Sequence, residues 1–188
     1  MKFYELYADT CVEDYVALAA DSFKEDFIRA CNQSEFQYLD RRPIEIELSL
    51  DGGIEFPDFI VHDGCVSLVS EKFRRALDGA GVDNLFYKPV TLTFEQLGFA
   101  ENYYLALPPR IDCLDRAESV IVVEENDYAL PEEFLKTVTQ IVIAPRRVGN
   151  YKIFKLPPFF TNTEIIITEE LKKFLEQAAL ENVNFLEL

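Results

Sequence analysis

Residues 66–90, VSLVSEKFRRALDGAGVDNLFYKPV, and residues 164–188, EIIITEELKKFLEQAALENVNFLEL, carry one pattern twice. Shifting the first by 98 positions sets Ser70 on Thr168, Glu71 on Glu169, Phe73 on Leu171, Leu77 on Leu175, Ala80 on Ala178 and Asn84 on Asn182. Each matched position has a physical role. Ser70 and Thr168 are N-cap types, the apolar positions share one helical stripe, and Gly79 or Gly81 ends the first helix before strand periodicity returns. Two copies are too few for a solenoid. The expectation is a pseudo-duplicated strand-helix-strand unit within an α+β domain, a mixed and mostly antiparallel sheet packed with a few amphipathic helices.

The remaining segments fit that frame. KFYELYA (2–8) alternates in the strand period, whereas residues 10–20 suit helix or strand equally. In DSFKEDFIRACN, Ser22 and Glu25 have capping-box spacing and Phe23, Phe27, Ala30 and Cys31 form one helical stripe. In PIEIELSLDGGIEF, Ile44, Ile46 and Leu48 alternate with Glu45, Glu47 and Ser49, which predicts a half-buried strand with an acidic face, turning at Asp51, Gly52 and Gly53. NYYLALPPRIDCLDRAES predicts a strand broken at Pro108 and Pro109, SVIVVEEN another strand, and YALPEEFLKT a turn or a short helix. TVTQIVIAPRRVGNYKIFKL, two β-rich runs around Pro145, Gly149 and Asn150, predicts a hairpin. No linker or low-complexity run interrupts the chain, and 188 residues suffice for one compact domain over 1–188.

Charge narrows the partners. Against 18 Lys and Arg stand 34 Asp and Glu, a net of −16, and residues 1–60 alone hold 14 acidic against 5 basic groups. Phosphate backbones need a cationic face, so direct nucleic-acid binding is disfavoured and a basic protein partner is the complementary expectation. The plainer reading is that acidity serves solubility. Cys11, Cys31, Cys65 and Cys113 form no CxxC or other close pair, which suits reduced thiols. With no signal-peptide pattern and no apolar run of ~18 residues, the expectation is a soluble cytoplasmic protein without a membrane span.

Catalytic motifs are sparse. DFIVHDGC holds the only histidine, His62, between Asp58 and Asp63 with Cys65 beyond. Read as a strand, it separates Asp58 from His62 by about 13 Å at ~3.3 Å per residue, too far for a shared ligand or a catalytic contact. Cys65 reaches His62 only if the chain folds sharply at Gly64, so an ordinary strand is the simpler reading. In IDCLDRAES, Asp112, Asp115 and Glu118 have a spacing that suits a divalent ion or acid-base chemistry if helical. The prolines before them favour a strand end and turn, where Asp caps backbone N–H groups. GxGxxG, the Walker pattern, GxSxG and HExxH are absent.

PDFIVHDGCVSLVSEKFRRAL, YYLALPPRIDCLDRAES, and the terminal YKIFKL followed by EIIITEELKKFLEQAALENVNFLEL together resemble immunity-protein family eleven of bacterial polymorphic toxin systems, formerly a domain of unknown function. The resemblance rests on Pro57 and Asp58 before a strand, on Val69, Ser70, Glu71, Phe73 and Arg74, on Asp112, Cys113, Leu114, Asp115 and Ser119, and on the terminal strand and helix. It spans roughly residues 51–188 and leaves 1–50 as a variable N-terminal part. It implies a non-enzymatic protein, without cofactor, that neutralises a cognate toxin by binding it. The matched positions read as caps, turns and core, so none is carried over as a binding residue.

Candidate partner-binding residues therefore come from the residue pattern. They are the acidic Glu45, Glu47, Glu124, Glu125, Asp127, Glu132 and Glu133, and the aromatic Tyr103, Tyr104, Phe159 and Phe160. Each aromatic has core packing as its plainer reading, and each acid a solvated surface. Two other functions stay open: a metal-dependent enzyme using Asp112, Asp115 and Glu118, and an adaptor with a partner other than a toxin. The sequence leaves the oligomeric state and the identity of the toxin open.

Overall fold

The computed structural model describes residues 1–19, 22–24, 27–28, 30–31, 42–48, 53–62, 66–94, 98–123, 136–157, 160 and 164–188. Strands β1 (Phe3–Tyr7), β9 (Ile153–Phe154), β10 (Ile165–Thr168) and β11 (Asn184–Glu187) form one sheet in the order β11-β1-β10-β9. Strands β2 (Ile44–Glu47), β3 (Phe59–His62), β4 (Val66–Ser70), β5 (Phe86–Phe94) and β6 (Phe99–Leu107) form another in the order β2-β5-β6-β4-β3. A ribbon pairs β7 (Val120–Val123) with β8 (Lys136–Gln140). The helices are α1 (Glu71–Gly79), α2 (Pro145–Val148) and α3 (Glu169–Gln177). All pairings are antiparallel except β2 with β5, so the class is α+β with mixed and antiparallel sheets. The β2 pairing begins opposite Val90, one residue past Pro89, so β5 gains its outer neighbour only beyond the residue that lacks an N–H.

The sequence repeat is a repeat of structure. In each copy a strand leads into a nine-residue helix and then into a second strand, and a third strand separates the two. That middle strand is β6 in one copy and β1 in the other. Registers agree: Val69 faces Tyr104 and Phe59, and its counterpart Ile167 faces Tyr4 and Ile153. Likewise Pro89 faces Tyr104 and Glu187 faces Tyr4. The first copy is thus β3-β4-β6-β5 and the second β9-β10-β1-β11, with the middle strand of the second taken from the other end of the chain.

Helix chemistry repeats as well. Ser70 Oγ accepts the Phe73 N–H and Thr168 Oγ1 the Leu171 N–H. Glu71 and Glu169 follow in the first turn, where the helix dipole favours an anion. Arg74 and Arg75 hold the Glu71 carboxyl down to about 2, and Lys173 lowers that of Glu169. Arg74 lies over the Tyr104 ring at 4.9 Å and pairs with Asp78; Lys172 lies over Tyr4 at 5.1 Å and pairs with Glu176. Gly81 ends α1 at φ +73°, with the Val82 N–H on the Leu77 carbonyl and the Gly81 N–H on the Asp78 carbonyl, a Schellman closure. The equivalent residue after α3 is Ala179, at φ +48°.

The two copies clasp each other reciprocally. Asn84 donates to the Ile153 carbonyl at 3.3 Å, and Asn182 donates to the Phe59 carbonyl at 3.2 Å. Asp58 and Lys152, equivalent residues ahead of β3 and β9, each accept at the backbone carbonyl from Ser70 and Thr168. Asp58 then pairs with Lys72, and Lys152 with Glu170, which is the same bracket with its charges exchanged. Each also crosses to the turn after the other copy's helix. The Asp58 carboxylate accepts the Glu181 N–H at 2.8 Å, and the Lys152 ammonium donates to the Ala80 carbonyl at 2.8 Å. Contacts in which i meets j and j meets i are those of a two-fold relation.

Three apolar clusters follow from strand alternation. The central one joins both copies: Phe59, Val69, Phe73 and Leu77 meet Tyr4, Ile165, Leu171 and Leu175. The outer face of the five-stranded sheet packs Leu68, Leu92 and Leu105 against Val16, Phe23 and Cys31. The outer face of the other sheet packs Phe3, Phe154 and Ile166 against Cys113, Leu114 and Val148. Near Phe23, the Phe27 and Ile28 N–H groups bond to the Lys24 carbonyl, so helical bonding begins at Lys24; Glu25 of the expected capping box lies outside the described residues.

The predicted hairpin across 137–156 does not form. β8 pairs with β7 and β9 with β10, and Pro145–Val148 between them is a helical turn ending at Gly149, φ +62°. Alternation marked both strands correctly, but Cys113 and Leu114 take the intervening chain: the Ala144 N–H bonds to the Cys113 carbonyl and Leu114 bridges to Ile143.

Asp58→Ala removes the acceptor for Ser70, Lys72 and Glu181 together, and urea melts should show a loss of about 3 kcal/mol. Ala179→Gly relieves a left-handed residue bearing a Cβ and should stabilise the chain by about 1 kcal/mol in the same assay, whereas Gly81→Ala should lower it by about as much.

Candidate functional site

The stretch around the single histidine is strand. Phe59, Ile60 and His62 are buried, with the His62 ring 5.4 Å from that of Phe23, and the Asp58 carboxylate is spent on the clasp. His62 also lines a cavity of about 240 Å³ between β3 and the loop over residues 8–18. Asp63, Gly64 and Cys65 lie outside the described residues.

The carboxylates of residues 112–118 do not converge. Asp112 is exposed and pairs with Arg116 at 3.2 Å, while Asp115 Oδ1 accepts the Ala117 N–H at 3.1 Å in an Asx turn. The Ser119 hydroxyl bridges this turn to the chain after β8, donating to the Val142 carbonyl and accepting the Val142 N–H. Cys113, between the two aspartates, is fully buried, and burial pushes its thiol up to about 12, far from a nucleophile's range. Among the described residues no group of three or more His, Cys, Asp and Glu could hold a metal ion. This is the turn-and-cap geometry expected from the prolines before it.

The acidic face of β2 is present. Glu45 and Glu47 are both exposed, and Ile46 between them is buried. In-register neighbours share a face, so Glu45 continues through Thr91 to Asn102, and Glu47 through Thr93 to Ala100. Thr91 donates to Asn102 Oδ1 at 3.3 Å, and Asn102 and Ala100 are exposed. Farther along β6 the same face dips inward: Tyr104 is half-buried under Arg74, and Ala106 is buried where α1 covers the sheet. Near the tip of the β5-β6 pair Phe99 is exposed, with the Phe56 ring tilted against it at 5.5 Å.

The aromatic candidates divide differently from expectation. Tyr103 is 3% exposed and donates to the Pro57 carbonyl, and burial raises its pKa; it is core and offers no surface. Phe160 is 4% exposed within the outer cluster of the four-stranded sheet, so it too is core. Their burial is long-range, made by β3 and β8, and no local pattern reveals it. Tyr104 belongs to the duplicated unit as the counterpart of Tyr4. Phe159, Glu124, Glu125, Asp127, Glu132 and Glu133 lie outside the described residues.

Thiol accessibility checks this placement. Iodoacetamide at pH 8 should label exposed Cys11 in the native protein, and Cys31 and Cys113 only beyond the urea midpoint, as read by peptide mass spectrometry.

No helix among the described residues is long and apolar enough to cross a membrane. No curated protein matches the chain. A family model described as Immunity protein family (Imm11) matches residues 14–188, reaching farther toward the N-terminus than the motifs at 57–188. With nearly the whole chain covered, including the β2 edge and every strand of the two clasped copies except β1, the chain belongs to the Immunity protein family (Imm11).

Proposed function

We propose that this protein is the cytoplasmic antidote to a bacterial toxin, which it neutralises by direct binding through the acidic face of β2. The observation that carries the reading is the family match over residues 14–188, which implies a toxin partner in general. The net charge of −16 and the exposed pair Glu45 and Glu47 support a basic partner. Phe99, at the end of the same sheet but on its opposite face, adds exposed apolar area at the rim. In this arrangement the carboxylates accelerate capture, and the apolar contacts slow release.

The reaction is an association and breaks no covalent bond in either partner. A rigid sheet suits it, because a flat presentation of in-register side chains loses little conformational entropy on docking.

Co-expression with the adjacent toxin domain should rescue growth and yield a complex on co-purification. Glu45→Lys with Glu47→Lys should cut the association rate about tenfold at low salt and flatten its dependence on ionic strength. Rescue with an unaltered rate in that variant would move the interface off β2; absence of any complex or rescue would end the toxin-binding reading.

A further inference from the structure

The turn over residues 112–119 also forms one wall of a cavity of about 500 Å³, and the short helix α2 forms the other. That volume lies in the ligand-site range of roughly 300–1,000 Å³. Three of its lining residues are arginines, Arg116, Arg146 and Arg147, in a chain with nearly twice as many acids as bases. The single acid in the lining, Asp115, turns one oxygen to the Ala117 N–H and forms no ion pair with them.

Arg146 and Arg147 are only lightly engaged. Among the described residues Arg146 is exposed and makes no ion pair or hydrogen bond; Arg147 makes one long contact, 3.4 Å, to the Leu114 carbonyl. Arg116 reaches Asp112 across an exposed i,i+4 pair. A guanidinium keeps its charge at neutral pH, and its planar fork matches phosphate oxygens two at a time. The other walls are Ala117, Ala144 and Pro145, with no aromatic ring on which a base would stack.

We propose that this cavity binds a compact polyanion, a ligand carrying two or more phosphate groups and no aromatic ring. The site lies outside the four-stranded sheet, whereas Glu45 and Glu47 belong to the five-stranded one, and its ligand is independent of the toxin.

Calorimetric titration of the full chain with inorganic tripolyphosphate at low salt tests this. The expected result is saturable one-to-one binding that weakens steeply with added sodium chloride, is reduced about tenfold by Arg146→Ala and is abolished by Arg146→Glu. Thermal melts matching the parent protein show that these variants fold. Adenosine, which has a ring and no phosphate, should give no heat. Absence of saturation at millimolar tripolyphosphate, or undiminished binding by folded Arg146→Glu, overturns the proposal.

Discussion

The fold turns on a bracket built twice with opposite charge. Asp58 on one copy and Lys152 on the other sit ahead of equivalent edge strands, hold the helix start behind them and reach the turn after the opposite helix. Each bracket is partly shielded, so its hydrogen bonds hold better than those of an exposed pair, and removing one partner strands the rest. Exchanging the sign between copies avoids placing like charges in both brackets. It also means that neither copy serves as both halves, because a pair of identical units would repeat one sign.

That joint explains where function has room. The inner faces of both sheets and both helices are consumed in the shared cluster, and the equivalent residues Tyr4 and Tyr104 lie under equivalent cations. What the duplication does not contain is β2, the β7-β8 ribbon, the loop over 8–18 and the turn at 112–119. The acidic strand face belongs to these additions, the arginine-lined hollow is shared by the turn at 112–119 and α2, and the small cavity by His62 lies between the loop over 8–18 and β3. Scaffold and working surface are thus separable, as is usual where loops and edges are carried by a rigid frame.

Much of the local structure was legible from the sequence because it is decided locally. The caps at Ser70 and Thr168, the apolar stripe of Phe73 and Leu77, and the alternation of β1 and β2 need no distant information. The constant offset even marked equivalent positions, such as Val69 and Ile167, whose strand partners are equivalent in three dimensions. Partner choice was less legible. Lys136–Gln140 and Ile153–Phe154 look like the two arms of a hairpin, yet each pairs with the strand on its other side, the first with β7 and the second with β10. Asp58 read as half of an unconvincing catalytic pair, since nothing nearby announces that Glu181 supplies the third N–H or O–H donor of its shell. Surface and core both suit Tyr103, in a strand whose faces cannot be told apart until the opposing layer is known, and Phe160, in a loop whose packing partner Lys136 lies elsewhere in the chain. The three arginines lie in two segments brought side by side by backbone bonds from Ala144 to Cys113 and from Asp115 to Val142.

The middle strand of the second copy stands first in the chain, while both of its neighbours come from the last quarter. As the polypeptide emerges from the ribosome, β1 must wait, with its apolar side chains uncovered, until β10 and β11 have been synthesised. The first copy draws its strands from one uninterrupted stretch and can assemble earlier, presenting the edge onto which the delayed half condenses. Chaperone contact during synthesis should accordingly fall on Phe3, Tyr4 and Leu6, and a circular permutant beginning ahead of β3 would remove that delay.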